Sequence, residues 1–304
     1  MLRPIKSILR RIPAVQSVLA ERDALKAELR HINPGHFYSP IPEMSHVRDQ
    51  QSRIFDRTFR ELPGIDLNVN EQLSLLTELA AFYAELPYHT HSLPHVRYHF
   101  DNGYYTYSDA IFLYSMIRRI RPKRIIEIGS GWSSFVMLDT NERFFNEQIH
   151  LTFIEPYPER LRFGMRNRDF ALSTVIEKPL QSVDSSVFSE LGPGDILFID
   201  SSHVGKIDSD VNRIIFEILP RLAQGVFVHI HDVSYPFEYP LQWLENGWYW
   251  NEAYLMRAFL QHNSAFKIRI WNHFLGLFAA DRLTELMPLC LKNIGASLWL
   301  ERVG

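Results

Sequence analysis

Apolar and polar positions change rhythm along this chain. From Tyr107, "YSDAIFLYSMIRRIRPKR" carries an apolar stripe at helical spacing, and Pro122 stops it. Short apolar runs then alternate with helix-like stretches. The strand-like runs are "RIIEIG", "LTFIEP", "STVIEK", "DILFID", "GVFVHIHD", "FKIRIW" and "LGLFAA". Between the earlier ones lie "SSFVMLDTNERFF", "YPERLRFGMRN" and "SDVNRIIFEILPRLA". Strands separated by helices predict a parallel sheet covered on both faces. The last two runs are joined by only Asn272-His273-Phe274, too short for a parallel crossover, so they are expected to form an antiparallel hairpin. The expectation is an α/β fold with a seven-stranded, mostly parallel sheet closed by that hairpin.

The first hundred residues read differently. Arg3, Lys6, Arg10 and Arg11 are mixed with Leu2, Ile5, Ile8, Leu9 and Ile12 at helical spacing, and after Pro13 a helix continues to Pro34-Gly35. Residues 1–12 suit peripheral contact with a membrane surface, or the helix a short coiled coil. A helix packed on the domain or on a second subunit is preferred, the latter allowing a homo-oligomer. "NEQLSLLTELAAFYAEL" predicts a helix over Asn70–Leu86 with Asn70 as N-cap. His91, His95 and His99 are spaced by four, with His89 nearby, but Pro94 argues against the intact helix a metal face would need. The expected division is a helical extension, lid or oligomerisation segment at 1–100 and one catalytic domain at 101–304.

Composition narrows the classes. The chain has 304 residues, 46% of them hydrophobic, a net charge of -3 and a single cysteine, Cys290. No basic field argues for nucleic acid. Intrachain disulfides and cysteine-based metal sites are out, which fits a reducing compartment. No apolar run reaches the roughly 18 residues of a membrane span, and the charged start is a poor secretory signal. A cytoplasmic protein is expected.

The chemistry gathers at strand ends. Glu127 with Gly129, Ser130 and Gly131, then Glu155, Asp200 and His231-Asp232, each follow an apolar run. In a parallel sheet these carboxyl ends form the ligand rim. A P-loop is excluded because no Lys follows the glycine turn. A dinucleotide fingerprint is half present, with Ser134 where the third small residue belongs. Glu127 precedes Gly129 by two, and a carboxylate at a strand tip suits a cationic ligand end better than a pyrophosphate.

These residues resemble the class I S-adenosylmethionine (SAM) methyltransferases. "EIGSGWSS" looks like their first motif, "FIEPYPERL" like their second, and "DILFIDSSH" and "HIHDV" like their fourth and fifth strand motifs. The resemblance covers roughly Tyr104 to Ala280 and is greatest to sugar and small-molecule O-methyltransferases that keep "FIDSSH" followed by "HDV". It implies a Rossmann-like sheet and SAM as cofactor. Glu127 would help hold the methionine amino end, and Gly129, Ser130 and Gly131 would let backbone approach it. Glu155, followed by Pro156, would accept both ribose hydroxyls, and Gln181 would meet the adenine edge. Ser133 stands where the common motif has its third glycine. Tyr105 and Tyr107 are candidates to close over the cofactor.

On the acceptor side, Asp200, His203, His229, His231 and Asp232 share the rim. A histidine general base, His203 or His231, is preferred. The alternative is a divalent metal on Asp200, His231 and Asp232. After Asp232 comes an aromatic segment with Tyr235, Tyr239, Trp243, Trp248, Tyr249, Trp250 and Tyr254, which reads equally as a pocket wall or lid and as core packing. The expected activity is methyl transfer to a hydroxyl of a carbohydrate or related small molecule, with a glycan or small-molecule acceptor as partner. The rivals are an NAD-dependent oxidoreductase and a non-catalytic scaffold in glycan or lipid assembly.

Overall fold

A computed structural model describes residues 13–28 and 32–304. The expectation for residues 1–12 lies outside the described residues. The described chain divides into two compact units, one running to Asp56 and taking in Leu241–Tyr249, the other holding Arg57–Pro240 and Trp250–Gly304. The smaller unit contains α1 (Pro13–Glu28) and a short helix at Leu241–Glu245, where Arg48 Nε meets Glu245 at 3.1 Å. No described helix is long and apolar enough to cross a membrane.

The larger unit is built on a seven-stranded sheet. In chain order the elements are α2 (Val69–Ala80), α3 (Tyr107–Ile120), β1 (Arg124–Ile128), α4 (Trp132–Phe144), β2 (His150–Ile154), β3 (Ser173–Ile176), β4 (Ile196–Ile199), β5 (Phe227–Ile230), α5 (Glu252–Leu260), β6 (Phe266–Trp271), α6 (Asn272–Phe278) and β7 (Leu298–Arg302), with shorter turns of helix between. The strand order is β3-β2-β1-β4-β5-β7-β6. The first five strands are parallel, and β7 runs antiparallel to both β5 and β6. Every residue of β4 is buried, as is all of β1 beyond Arg124, which is the burial that continuous Ile-rich runs require.

The antiparallel end exists, but one of its strands is not the one expected. "LGLFAA" begins inside α6, and β7 is formed by Leu298–Arg302. Leu275 is wholly buried, and a Cβ on Gly276 would fall 2.5 Å from Ile294 Cβ. An apolar run buried on all sides looks the same as strand or helix in sequence. The entry to β7 is pinned by Asp109 on α3, whose Oδ1 accepts from Asn272 Nδ2, the Ala296 N–H and the Ser297 hydroxyl at 2.8, 3.0 and 2.6 Å.

Within the larger unit, α2 packs on edge strand β6. Trp271 N–H donates to Gln72 Oε1 at 2.8 Å, and Lys267 pairs with Glu71 at 2.5 Å. That helix starts at Val69 behind Asn68, not Asn70, and stops at Ala80. His91, His95 and His99 lie on no helix, as Pro94 led one to expect.

Candidate functional site

The carboxyl ends of β1, β2, β4 and β5 converge on one rim. β1 ends at Ile128, whose carbonyl accepts the Asp200 N–H at 2.8 Å, so the turn after β1 lies directly against the end of β4. Gly129 sits there at φ +78, and a Cβ on it would fall 1.8 Å from the Asp200 carbonyl oxygen. Only glycine fits. Gly131 then opens α4, with its N–H donating to the Ser134 hydroxyl at 2.9 Å.

Two cavities flank the residues that follow β4, and both are lined by Asp200, Ser201 and Ser202. The larger, about 580 Å³, also includes Gly129, Glu155, Pro156, Gln181 and Lys206. The smaller, about 320 Å³, includes Ser130, Gly131, Ser133, Tyr104, Trp132, Arg160, His203, His231, Asp232 and Trp250. Of the residues expected at the cofactor, Gly129, Ser130, Gly131, Ser133, Glu155, Pro156 and Gln181 thus line one cavity or the other. A further cavity of about 440 Å³ is lined by Phe266 and Lys267, and Phe266 pairs with Arg302 beside the start of β5, at the opposite end of the strands.

Two expected cofactor residues are placed elsewhere. Glu127 is fully buried and lines neither cavity. Its carboxylate accepts the Ser133 hydroxyl at 2.5 Å and the Ser134 hydroxyl, so it braces the glycine turn from beneath. Burial pushes its pKa up to about 8 against the pull of those hydroxyls. Tyr107 stacks on Phe100 at 4.8 Å and lines neither cavity. Its neighbours Tyr104 and Tyr105 do, and the Arg160 guanidinium lies 4.3 Å above the Tyr104 ring.

Glu155 stands at the end of β2, half-buried. Its Oε2 accepts the Ser130 N–H at 3.0 Å and its Oε1 the Tyr157 N–H at 2.8 Å. Each carboxylate oxygen retains a lone pair for a further donor. Gln181 Nε2 donates to the Asp208 carbonyl at 2.6 Å, which fixes its amide at the far side of the larger cavity.

The smaller cavity holds the ionisable cluster. Asp232 follows the end of β5 at φ +57, and His203 takes φ +59 in the loop after β4. These strained backbones bring two distant side chains together. His203 Nε2 lies 3.3 Å from Asp200 Oδ1 and 3.6 Å from Asp232 Oδ2, and His231 Nε2 lies 3.5 Å from Asp232 Oδ1. His203 Nδ1 donates to Glu252 Oε2 at 2.8 Å. Trp250 covers the His203 ring at 4.4 Å.

Burial works against a charged His203, yet its hydrogen bonds to Asp200 and Glu252 hold its pKa well above the ordinary histidine range. Burial would raise Asp200, but His231 and His203 bring it below the usual carboxylate range. Burial does raise Asp232, against the pull of His231 and His203. His231 is raised despite burial, chiefly by Asp232 and Asp200.

His229 is not part of this chemistry. Its ring lies flat on Phe198 at 3.9 Å, and its Nε2 donates to Ser297 Oγ at 2.9 Å. Burial holds it neutral, well below the ordinary histidine range. The aromatic segment divides as well. Tyr235, Phe237 and Tyr239 are core residues, while Trp250 lines the cavity. Sequence reasoning missed Glu252, Arg160 and Trp132. Glu252 lies 49 positions from His203, and nothing in the local pattern signals their meeting.

Among the described residues, no group of three or more His, Cys, Asp or Glu side chains is arranged to hold a metal ion. The glycine cradle and the half-satisfied Glu155 do fit an adenosyl cofactor. Comparison with known proteins points the same way. A methyltransferase domain family model matches residues 126–233. A protein of Archaeoglobus fulgidus described as uncharacterized is 39% identical over 202 residues, 63% of this chain and 84% of its own. Among solved structures, the SAH-bound methyltransferase PaMTH1 of Podospora anserina is 14% identical over 88% of this chain and 99% of its own, with a TM-score of 0.42. The O-methyltransferase TomG of Streptomyces achromogenes, in complex with SAM, is 14% identical over 85% of this chain and 95% of its own, with a TM-score of 0.40. At such scores these two say nothing about what this chain methylates. The motifs at the ends of β1, β2, β4 and β5 all fall within the span matched by the family model, and residues 126–233 form a SAM-dependent methyltransferase domain.

Proposed function

We propose that the acceptor is a hydroxyl of a carbohydrate or a related small polyhydroxyl molecule, and that Asp232 takes its proton. The observation that carries this reading is the state of Asp232. It lines the smaller cavity and is touched by two imidazoles only at 3.5 and 3.6 Å, beyond ordinary hydrogen-bond length. Its oxygens retain lone pairs for an incoming O–H, and burial strengthens it as a base. His203, held cationic, offsets part of the charge of Asp200 and Asp232. Of the two histidines preferred from sequence as the base, His203 is the weaker candidate here, because a protonated imidazole has no lone pair to offer.

SAM, when bound, supplies an electrophilic methyl group on a sulfonium. The protein's part is alignment and proton removal. Gly129, Glu155, Pro156 and Gln181 would hold the adenosyl portion, and Ser130 and Gly131 the methionine portion. Trp250, Trp132 and Tyr104 give the smaller cavity aromatic faces, and Arg160 with the carboxylates gives it polar ones. That mixture suits the apolar face and hydroxyl rim of a sugar ring. The position of His203 between Asp200 and Asp232 supports a metal-free reaction, since a cation already stands there. The match to the methyltransferase domain family removes the dinucleotide oxidoreductase from contention, and the intact cofactor cradle weighs against a scaffold.

The test is a transfer assay with methyl-labelled SAM against sugars, nucleotide sugars, catechols and carboxylates, each with magnesium and with chelator. A labelled methyl ether on a sugar, insensitive to chelator, is the expected product. Transfer only to catechols with magnesium, or only to carboxylates, would overturn the reading.

A further inference from the structure

We propose that Glu252 is a positioning residue for methyl transfer, gripping Nδ1 of His203 and so fixing where Nε2 stands between Asp200 and Asp232. The inference rests on the proposed chemistry for its consequence in turnover, but its geometric core stands apart from the identity of the acceptor. Glu252 opens α5 and is 1% exposed. It reaches no ligand cavity itself. Both of its carboxylate oxygens are directed at the loop after β4. Oε2 accepts from His203 Nδ1 at 2.8 Å, and Oε1 accepts from the Ser201 hydroxyl at 2.9 Å. Ser201 Oγ in turn accepts the His203 N–H at 3.0 Å. The loop is also held by backbone: the N–H groups of Asn251 and Glu252 donate to the His203 carbonyl at 3.0 and 3.1 Å. Asn251 Oδ1 accepts the Gly205 N–H at 2.5 Å. Leu255 approaches so closely that a Cβ on Gly205 would lie 2.5 Å from its Cδ1.

A histidine bonded firmly on one nitrogen has its ring plane and tautomer set, so the other nitrogen can point in only one direction. Here that direction is into the smaller cavity. A purely structural ion pair would close both nitrogens. His203 closes Nδ1 at 2.8 Å, and at Nε2 makes only a longer bond, 3.3 Å to Asp200, with Asp232 at 3.6 Å. The same loop carries Ser201 and Ser202, which line both cavities, so the grip of Glu252 also holds the wall between donor and acceptor sides.

The experiment compares the full chain with Glu252→Gln, His203→Asn and the double variant. Glu252→Gln keeps the shape and removes the charge. Expected is a fall in kcat of about 10- to 100-fold, the share a charge-assisted hydrogen bond carries, with SAM affinity within about twofold of wild type. Added to His203→Asn, it should cost far less than it does alone, because it acts chiefly through the imidazole. An unchanged kcat, a parallel loss of SAM affinity and thermal stability, or additive losses would each overturn the proposal. A second measurement needs no acceptor. In nitrogen-edited NMR of the wild type, the His203 Nδ1 proton should appear far downfield, and Glu252→Gln should move it upfield. An unmoved signal overturns the positioning role. A moved signal supports it even where no sugar is methylated, a result that would sink only the acceptor reading.

Discussion

Two cations in the larger unit are each ringed by three carboxylates, and they are built to opposite ends. The Arg97 side chain is 2% exposed and meets Asp139, Glu142 and Asp169, each at 2.7 Å. Asp139 also accepts the backbone N–H groups of Arg97 and Tyr98 at 2.8 and 2.9 Å. His203 meets Glu252 at 2.8 Å, but Asp200 and Asp232 only at 3.3 and 3.6 Å. The difference is one of supply. A guanidinium brings five donors in a planar fork, enough to satisfy three carboxylates. An imidazolium brings two. The first cluster is saturated, and none of its residues lines the rim cavities. The second is short of donors, and the shortage faces a cavity. Saturation marks a brace, and on the proposed reading the deficit is where a substrate hydroxyl would complete the set.

The comparison breaks most visibly at Arg97. Arg97→Met removes the cation shared by three carboxylates, leaving Asp139 without an ionic partner while Glu142 keeps Arg166, and should cost about 3–5 kcal/mol of stability, read by urea denaturation, while SAM affinity of the folded protein stays as it was. A variant as stable as wild type would end the brace interpretation. Asp232→Asn should do the reverse, lowering kcat by about 10²- to 10⁴-fold with melting temperature and SAM affinity unchanged. Turnover that survives it removes Asp232 as the proton acceptor. Glu155→Gln sharpens the contrast from the cofactor side and should weaken SAM binding about tenfold in calorimetric titration. Unchanged affinity would take Glu155 out of the site.

A last effect, read only as a slope against pH, concerns a carboxylate braced by hydroxyls. Glu127 titrates near 4.5 unperturbed and at about 8 in the folded chain, so the native state holds an extra proton between those values. Its stabilising share is complete below pH 4.5 and is lost as pH rises through 8, at no more than about 1.4 kcal/mol per pH unit. Glu127→Gln should flatten that slope in urea midpoints taken from pH 5 to 9. A slope that persists assigns it to another group.

The parallel half of the fold was legible because each strand is an apolar run that ends in a polar residue. β1, β2, β4 and β5 announce both their burial and their rim. β7 was not legible. Leu298, Trp299 and Leu300 form a short run far from β6, and the nearer "LGLFAA" offered a better strand pattern, although its first four residues end α6. At the site, glycines and strand-end acids could be read because their positions follow from the turn. The spacing of Glu127 to Gly129 is that of a ligand acid, and what it could not show is that Ser133 and Ser134 turn back onto its carboxylate. Glu252 gave no signal, since its meaning arises only when α5 docks on the loop after β4.

The partition formed by Asp200, Ser201 and Ser202 belongs to both cavities. Binding equilibria that share a boundary are reciprocal: whatever factor a filled donor side adds to acceptor affinity, a filled acceptor side returns to the donor. Where that factor exceeds one, spent cofactor and unmethylated acceptor trap each other as readily as the productive pair, and the accumulation of either prolongs the stay of the other.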